Sequence, residues 1–344
     1  MRSSGLDLLR YAALGMVVWQ HVQSLHNISP RHLLPGLDVG QLGVTIFCAM
    51  SGYFALGAGA DPSPWRWLGR RLERIYIPLW LTLLPLFAAS AMVGDKQVSV
   101  SLIVSEFAGT GLFTHGTELV GVHLWFISLI LVCYLLAAGV RWFPSLLPLV
   151  ICGAAYGAWQ HVPLTGFVLT FFVAGTVHKL SLSAAATLGL SAAVLAARWL
   201  VGPRGTVFLP SAVGLAAVAL GEWISGRFAW PERWSWPTRA SEGAYHFYLA
   251  HGPVFHALAL LGWFGLALET VIGTCLTILA SAVLYVGDVR TRQFVHLRLV
   301  PTQPSRPGTV GGHPQVDGLA ESALSTTNRR YRRKALNIAH LRKP

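Results

Sequence analysis

Arg10 and His21 are two ionisable residues inside one apolar stretch, residues 6–26, which is long enough to cross a membrane as a helix. Eleven positions at about 100° each place both residues on nearly the same helical face, roughly 16 Å apart along the axis. Because an ionisable group inside a span is costly unless it lines an interior cavity, the pair predicts a functional polar track. Taken singly, Arg10 is equally well explained as a snorkelling cytoplasmic anchor. For His21 alone, an interfacial position is the less favoured explanation.

A second group of cations lies in the sequence WRWLGRRLERIYIPLW, residues 65–80. Arg71 and Arg74 are three positions apart, so they share a helical face, and their guanidinium groups match phosphate oxygens. Spacing alone favours a positive-inside anchor. Combined with Arg10 at the same depth, the cluster favours a phosphate-bearing cytoplasmic ligand. We expect Pro78 to interrupt the following helix in its first turns.

The composition is typical of a polytopic membrane protein, since the 344 residues are 53% hydrophobic and only 12% charged. A soluble core of this size does not need so much apolar sequence. The four cysteines, Cys48, Cys133, Cys152 and Cys275, lie in apolar segments without metal-ligand spacing. We therefore interpret them as small buried hydrophobic residues and expect no metal site.

Apolar segments separated by polar or Pro/Gly breaks predict an all-α fold with about ten transmembrane helices. The predicted spans are residues 6–26, 39–57, 75–94, 123–141, 145–160, 163–180, 183–201, 206–226, 241–261 and 264–287. With a cytoplasmic amino terminus, the inside loops hold nine Lys and Arg and the outside loops hold four. This bias predicts that both termini are cytoplasmic in a multi-pass protein of the inner (plasma) membrane.

The sequence divides into a transmembrane domain, residues 1–289, and a basic tail, residues 290–344, that we expect to be disordered. Of the 26 Lys and Arg, 11 lie in this tail. Attraction to anionic membrane lipids and a solvated topology anchor explain the tail about equally well. Nucleic-acid binding is not expected, because no base-reading module accompanies the charge.

Five motifs in order resemble the integral-membrane acyltransferase family 3. The spacing of Arg10 and His21 is similar to the R-x10-H signature of that family, and Arg71-Leu-Glu-Arg74 resembles its RxxR signature. The remaining three resemble its second-span, middle-span and late elements, and they are residues 43–53 ending in Ser51-Gly-Tyr, His123-Leu-Trp125-Phe, and Tyr248-Leu-Ala-His251-Gly-Pro.

The resemblance implies transfer of an acyl group, usually acetyl, from acyl-coenzyme A to a hydroxyl of a glycan, a lipid-linked sugar or a small molecule. It implies that His21 is catalytic and that arginines bind the coenzyme A phosphates, namely Arg10, Arg71 and Arg74. Five further residues are implied to line the cavity or bind the acceptor, namely His123, Trp125, Tyr248, His251 and Ser51. Direct transfer and an acyl-histidine intermediate are both open.

The sequence departs from the family at the expected acidic partner of His21. Residues 127–130 after the middle motif are Ile-Ser-Leu-Ile, without the glutamates that many glycan-modifying members carry there. Glu222 and Glu242 are candidates to orient a histidine, although capping a helix end explains them better. Residues 94–122 form the longest outside loop, for which an acceptor-binding role and a simple connecting role are equally favoured.

A secondary transporter is the main alternative, because an Arg/His track in a ten-span protein also suits binding of a substrate or a proton. The two halves of the chain show no internal repeat, and the cations are concentrated towards one membrane face. These two observations favour the enzyme.

Overall fold

The computed structural model describes residues 4–29, 32–34, 37–57, 63–93, 99–115, 124–162, 164–227, 236–261 and 265–299. Residues 1–297 form one compact unit, and residues 298–344 form a second. Nearly all of this second unit, and with it most of the predicted basic tail, lies outside the described residues.

The chain is almost entirely helical. The helices are α1 (Ser4–Leu25), α2 (Val39–Leu56), α3 (Pro64–Val93), α4 (Val100–Phe107), α5 (Gly111–His115), α6 (Trp125–Trp142), α7 (Leu146–Trp159), α8 (Thr165–Lys179), α9 (Ala184–Val201), α10 (Leu209–Arg227), α11 (Trp236–Leu261) and α12 (Leu266–Leu299). A 3-10 segment, Gly202–Phe208, joins α9 to α10. A short antiparallel pair, β1 (His32–Leu34) and β2 (Leu37–Asp38), precedes α2.

The all-α prediction is confirmed, and each predicted span coincides with a helix or with part of one. Among the described residues, four helical segments are long and apolar enough to cross a membrane, namely Val39–Leu56, Trp125–Trp142, Gly205–Arg227 and Leu266–Val295. The structure therefore supports a membrane protein, while ten spans and cytoplasmic termini remain predictions.

The prediction that Pro78 interrupts the third helix is wrong. α3 continues through both Pro78 and Pro85. Each proline removes one backbone donor, but apolar helices tolerate this where side chains and neighbouring helices satisfy the freed groups. Consequently the arginines of residues 65–80 belong to the same helix as the apolar segment that follows.

Helix α2 is central to the packing, since it lies against α1, α8 and α10. Gly52 allows the close approach of α2 to α8, because a Cβ at this position would lie 1.8 Å from the carbonyl oxygen of Phe171. Gly175 on α8 faces the same contact, and its Cβ would lie 2.7 Å from the Gly52 carbonyl oxygen. Small residues at such contacts are typical of helix packing in membranes.

Large apolar side chains are exposed on the outer helices. Examples are Leu149 on α7, Leu188 on α9 and Leu279 on α12. Two cysteines also lie on exposed faces, Cys152 on α7 and Cys275 on α12, whereas Cys48 and Cys133 are buried. The prediction of four buried cysteines is thus wrong for two of them. An apolar outer surface of this kind suits contact with lipid.

Candidate functional site

His21 and His251 form a hydrogen-bonded pair between α1 and α11. The Nδ1 atom of His21 lies 2.6 Å from Nε2 of His251. The ring planes differ by 9° and the centroids are 4.9 Å apart. For two imidazole rings whose nitrogens lie 2.6 Å apart, a centroid distance of 4.9 Å is close to the largest possible value. The two rings therefore meet edge to edge. His251 is fully buried.

A backbone carbonyl determines which nitrogen of His21 carries the proton. The Nδ1 atom of His251 lies 2.5 Å from the carbonyl oxygen of Tyr248. A carbonyl only accepts, so His251 carries its proton on Nδ1 and presents Nε2 as an acceptor when its ring is neutral. His21 must then donate from Nδ1, which places its own lone pair on Nε2. In this state Nε2 of His21 is a base or a nucleophile.

Asp38 is an acidic group near this pair that the sequence analysis did not select. Its charge acts electrostatically on His21. The side chain is held at the start of α2, where Oδ1 accepts from the Gln41 backbone N–H over 2.7 Å and the Gln41 side chain accepts from the Asp38 N–H over 3.2 Å. Such a capping box is recognisable in a sequence, but its distance from His21 is not. A carboxylate here favours positive charge on His21.

Aromatic side chains surround the histidine pair. The Tyr248 ring is buried and lies 5.6 Å from the His251 ring and 5.9 Å from the Phe126 ring. Trp125, at the start of α6, contacts Phe126 and Phe167. Thus the structure joins His251 to His21 directly, joins Tyr248 to His21 through His251, and joins Trp125 to Tyr248 through Phe126.

The arginines of α3 form a cationic site on another part of the bundle. Arg71 lies over the Trp67 and Tyr134 rings, with 5.6 Å from its Cζ atom to each centroid. Partial desolvation, followed by the charges of Arg71 and Arg292, lowers the pKa of Arg74. Arg71 and Arg74 are therefore close together, as predicted, and a site where cations repel one another favours a bound anion.

Arg292 is a third cation that the sequence analysis did not find. It donates two hydrogen bonds to Asp288, of 2.6 and 2.8 Å. Asp288 also lies 3.1 Å from Nε2 of His246. The four-residue spacing of Asp288 and Arg292 indicates a helical ion pair, but it does not show that the pair faces Arg74.

Arg10 is paired with an acid on its own helix. Its Nη1 atom lies 2.8 Å from Oδ1 of Asp7, three residues earlier. Because α1 is continuous through His21, the predicted separation of roughly 16 Å between Arg10 and His21 is retained. An anion at Arg10 would have to share the guanidinium with Asp7.

Ser51 and Glu222 have no contact with the histidine pair among the described interactions. Ser51 lies on α2 beside the tight contact at Gly52, and no hydrogen bond of its side chain is found within the described residues. Glu222 accepts a hydrogen bond from the Tyr53 hydroxyl. His123 lies outside the described residues, as does the side chain of Glu242.

The described part of the chain contains no group of three or more His, Cys, Asp or Glu side chains that could hold a metal ion. Two groups of described residues can therefore take part in chemistry. They are the His21–His251 pair, with the lone pair on Nε2 of His21, and the arginine cluster of α3.

Comparison with known proteins identifies the family. A family model described as an acyltransferase domain, that of acyltransferase family 3, matches residues 3–286. No curated protein and no solved structure matches the chain.

Proposed function

Because the chain belongs to acyltransferase family 3, we propose that it is a membrane O-acyltransferase that uses acyl-coenzyme A, with acetyl as the expected group. The acceptor is a hydroxyl of an extracytoplasmic glycan, a lipid-linked sugar or a small molecule. The proposed location is the inner (plasma) membrane, with about ten spans and both termini in the cytoplasm. The observation that carries the proposal is the His21–His251 pair, which leaves the His21 lone pair on Nε2.

His21 has two roles open to it. In direct transfer, Nε2 takes the proton of the acceptor hydroxyl while the acceptor oxygen bonds to the acyl carbon and the carbon–sulfur bond breaks. The thiolate then receives the proton. In the alternative, Nε2 itself attacks the acyl carbon, coenzyme A leaves, and the acceptor later displaces His21.

Both routes place positive charge on His21 during the reaction. The hydrogen bond to His251 and the nearby Asp38 carboxylate stabilise this charge. The buried Tyr248 carbonyl, acting through His251, keeps the proton on Nδ1. This arrangement follows the general logic in which a third group orients the catalytic base.

The arginine cluster is the proposed binding site for the coenzyme A phosphates. Arg71 and Arg74 would contact the phosphates directly, and Arg292 adds charge beside them. Arg10 lies on the helix that carries His21, and the extended pantetheine arm has a length on the order of their separation of roughly 16 Å. A phosphate bound at Arg10 would thus leave the thioester within reach of Nε2 of His21.

Thermal unfolding and thioester hydrolysis of the purified protein in nanodiscs, with acetyl-coenzyme A, test this proposal. Acetyl-coenzyme A should raise the unfolding temperature of the wild type and be hydrolysed slowly. His21→Ala should keep the stabilisation and lose hydrolysis, whereas Arg71→Ala should lose most of the stabilisation. His256→Ala, an exposed histidine on α11, is the control and should behave like the wild type.

Full hydrolysis by His21→Ala would contradict the catalytic role of His21. No response of the wild type to acetyl-coenzyme A at millimolar concentration would instead favour the transporter alternative.

A further inference from the structure

Glu106 is a buried acid that the proposed reaction has not yet used. It lies near the carboxyl end of α4, inside the loop of residues 94–122, and only 3% of the residue is exposed. Its Oε1 atom is shielded from solvent and has no hydrogen-bond partner among the described residues. Glu106 therefore combines full burial with an unsatisfied carboxyl oxygen.

Such an oxygen is costly, since a buried polar atom without a partner forfeits its hydration. Nearly all buried polar atoms in folded proteins have a partner, so each exception calls for a physical explanation. A hydroxyl group of a bound molecule would satisfy the Glu106 oxygen.

The position of α4 is well defined by contacts with α3. The Tyr76 hydroxyl donates to the Ala108 carbonyl over 2.7 Å, and the Trp80 indole N–H donates to the Phe107 carbonyl over 2.9 Å. Both bonds are adjacent to Glu106 in sequence. The carboxyl group is thus carried by a helix that is docked against α3.

Glu106 is also close to Tyr248, whose ring contacts that of His251. Its charge acts electrostatically on Tyr248, whose carbonyl orients His251. In the proposed topology, the loop that carries α4 lies on the extracytoplasmic side, where α1 ends shortly after His21. This is the side from which an extracytoplasmic acceptor arrives.

The protonation equilibrium of Glu106 suits proton transfer near neutrality. Burial raises the pKa of Glu106 to about 7. The titratable groups that the packed elements direct towards the end of α4 are phenols, Tyr76 from α3 and Tyr248 from α11. The side chain of His115 on α5 is outside the description.

We infer that Glu106 binds the acceptor hydroxyl and takes its proton during acyl transfer. The inference rests on the proposed function. The acceptor O–H bond breaks, its proton goes to the Glu106 carboxylate, and the acceptor oxygen bonds to the acyl carbon. The bond from that carbon to Nε2 of His21, which the acyl-histidine route forms, breaks with its electron pair. Glu106 then releases the proton to solvent, which restores the carboxylate and balances the proton taken up by the departed thiolate of coenzyme A.

The experiment separates the donor half of the reaction from the acceptor half. Nanodisc protein is given acetyl-coenzyme A labelled in the acetyl group, first alone and then with isolated cell envelope of the native host. Thermal stabilisation and hydrolysis report the donor half, and label in the envelope reports transfer. The proteins are the wild type, Glu106→Gln, Glu106→Leu and the matched control Glu269→Gln, another buried glutamate with an unsatisfied oxygen in the described residues.

Both Glu106 variants should lose at least about tenfold in envelope labelling, while hydrolysis and stabilisation stay within about twofold of the wild type. Glu269→Gln should label normally. The rate of envelope labelling by the wild type should also decrease below about pH 7, because Glu106 becomes protonated there. The residual labelling by Glu106→Gln should not show this decrease.

Normal labelling by Glu106→Gln would overturn the proton-accepting role, and normal labelling by Glu106→Leu would overturn binding as well. Equal loss of hydrolysis and labelling would place Glu106 in the donor half and overturn the acceptor role. A wild type that neither binds nor hydrolyses acetyl-coenzyme A would instead refute the proposed function itself. A wild type that hydrolyses but labels nothing would overturn the acceptor half of that function and this inference with it.

Discussion

The protonation state of His21 depends on the backbone carbonyl of Tyr248. That carbonyl accepts from Nδ1 of His251, and Nε2 of His251 in turn accepts from Nδ1 of His21. A carbonyl has no proton to give, so it imposes one direction on the whole chain of hydrogen bonds. His251 is accordingly a positioning residue for His21.

Two substitutions of His251 should separate its hydrogen bond from its volume. In His251→Gln the side-chain oxygen can still accept from Nδ1 of His21, whereas in His251→Phe nothing can. We expect thioester hydrolysis to fall at least about tenfold further in His251→Phe than in His251→Gln, with acetyl-coenzyme A stabilisation retained in both. The rate constants and unfolding temperatures measure this, and equal hydrolysis by the two variants would refute the positioning role.

At the scale of the helices, the Ser-Gly-Tyr motif lies at the contact between α2 and α8. Gly52 lies directly against the Phe171 carbonyl, so close helix packing explains the glycine of this motif. Asp38, the N-cap residue of α2, acts electrostatically on His21. The position of this acid thus depends on how α2 docks.

Gly52→Ala should destabilise the protein strongly. The added methyl group would lie 1.8 Å from a backbone oxygen, so the helices must separate, and overpacking of this kind costs about 1–3 kcal/mol. Gly189→Ala on α9 is the matched control, because nothing lies within 4 Å of its added Cβ and alanine favours a helix by about 1 kcal/mol.

Thermal unfolding in detergent should therefore give a lower midpoint for Gly52→Ala and an equal or higher one for Gly189→Ala. Equal midpoints for Gly52→Ala and the wild type would show that α2 and α8 do not pack this closely.

For the molecule as a whole, Glu106 predicts how stability depends on pH. Burial raises its pKa from 4.5 to about 7, so between these values the folded protein holds a proton that the unfolded chain has lost. The unfolding free energy should thus fall as the pH rises through this window and level off above it, by up to about 3 kcal/mol.

Unfolding midpoints measured between pH 4.5 and pH 8 test this dependence. Glu106→Gln should remove most of the decline, because an amide does not titrate. Ser105→Ala, the neighbouring buried residue, should keep the wild-type slope. An unchanged slope in Glu106→Gln would mean that other groups cause the decline.

The sequence by itself determined the helical class, the membrane character and the family, and it predicted His21, Arg71 and Arg74 as site residues. These features depend on composition and on spacing within one helix, which local geometry sets at about 100° and 1.5 Å per residue. The spacing of Arg71 and Arg74 therefore predicted their proximity correctly. The same reasoning failed at Pro78, where α3 continues, because the environment that tolerates a proline comes from neighbouring helices.

Only the tertiary structure decided which groups surround His21. Its partner His251 is 230 residues away in the sequence, and Asp38 belongs to a different helix end. The same holds for Glu106 near Tyr248 and for Arg292 near Arg74. Their relative positions result from packing between helices, as at Gly52. The spacing of residues within one segment does not predict such positions. The tautomer of His21 likewise depends on α11, where the Tyr248 carbonyl accepts from His251. The donor in a hydrogen bond between two histidines is known only when the other partners of both rings are known.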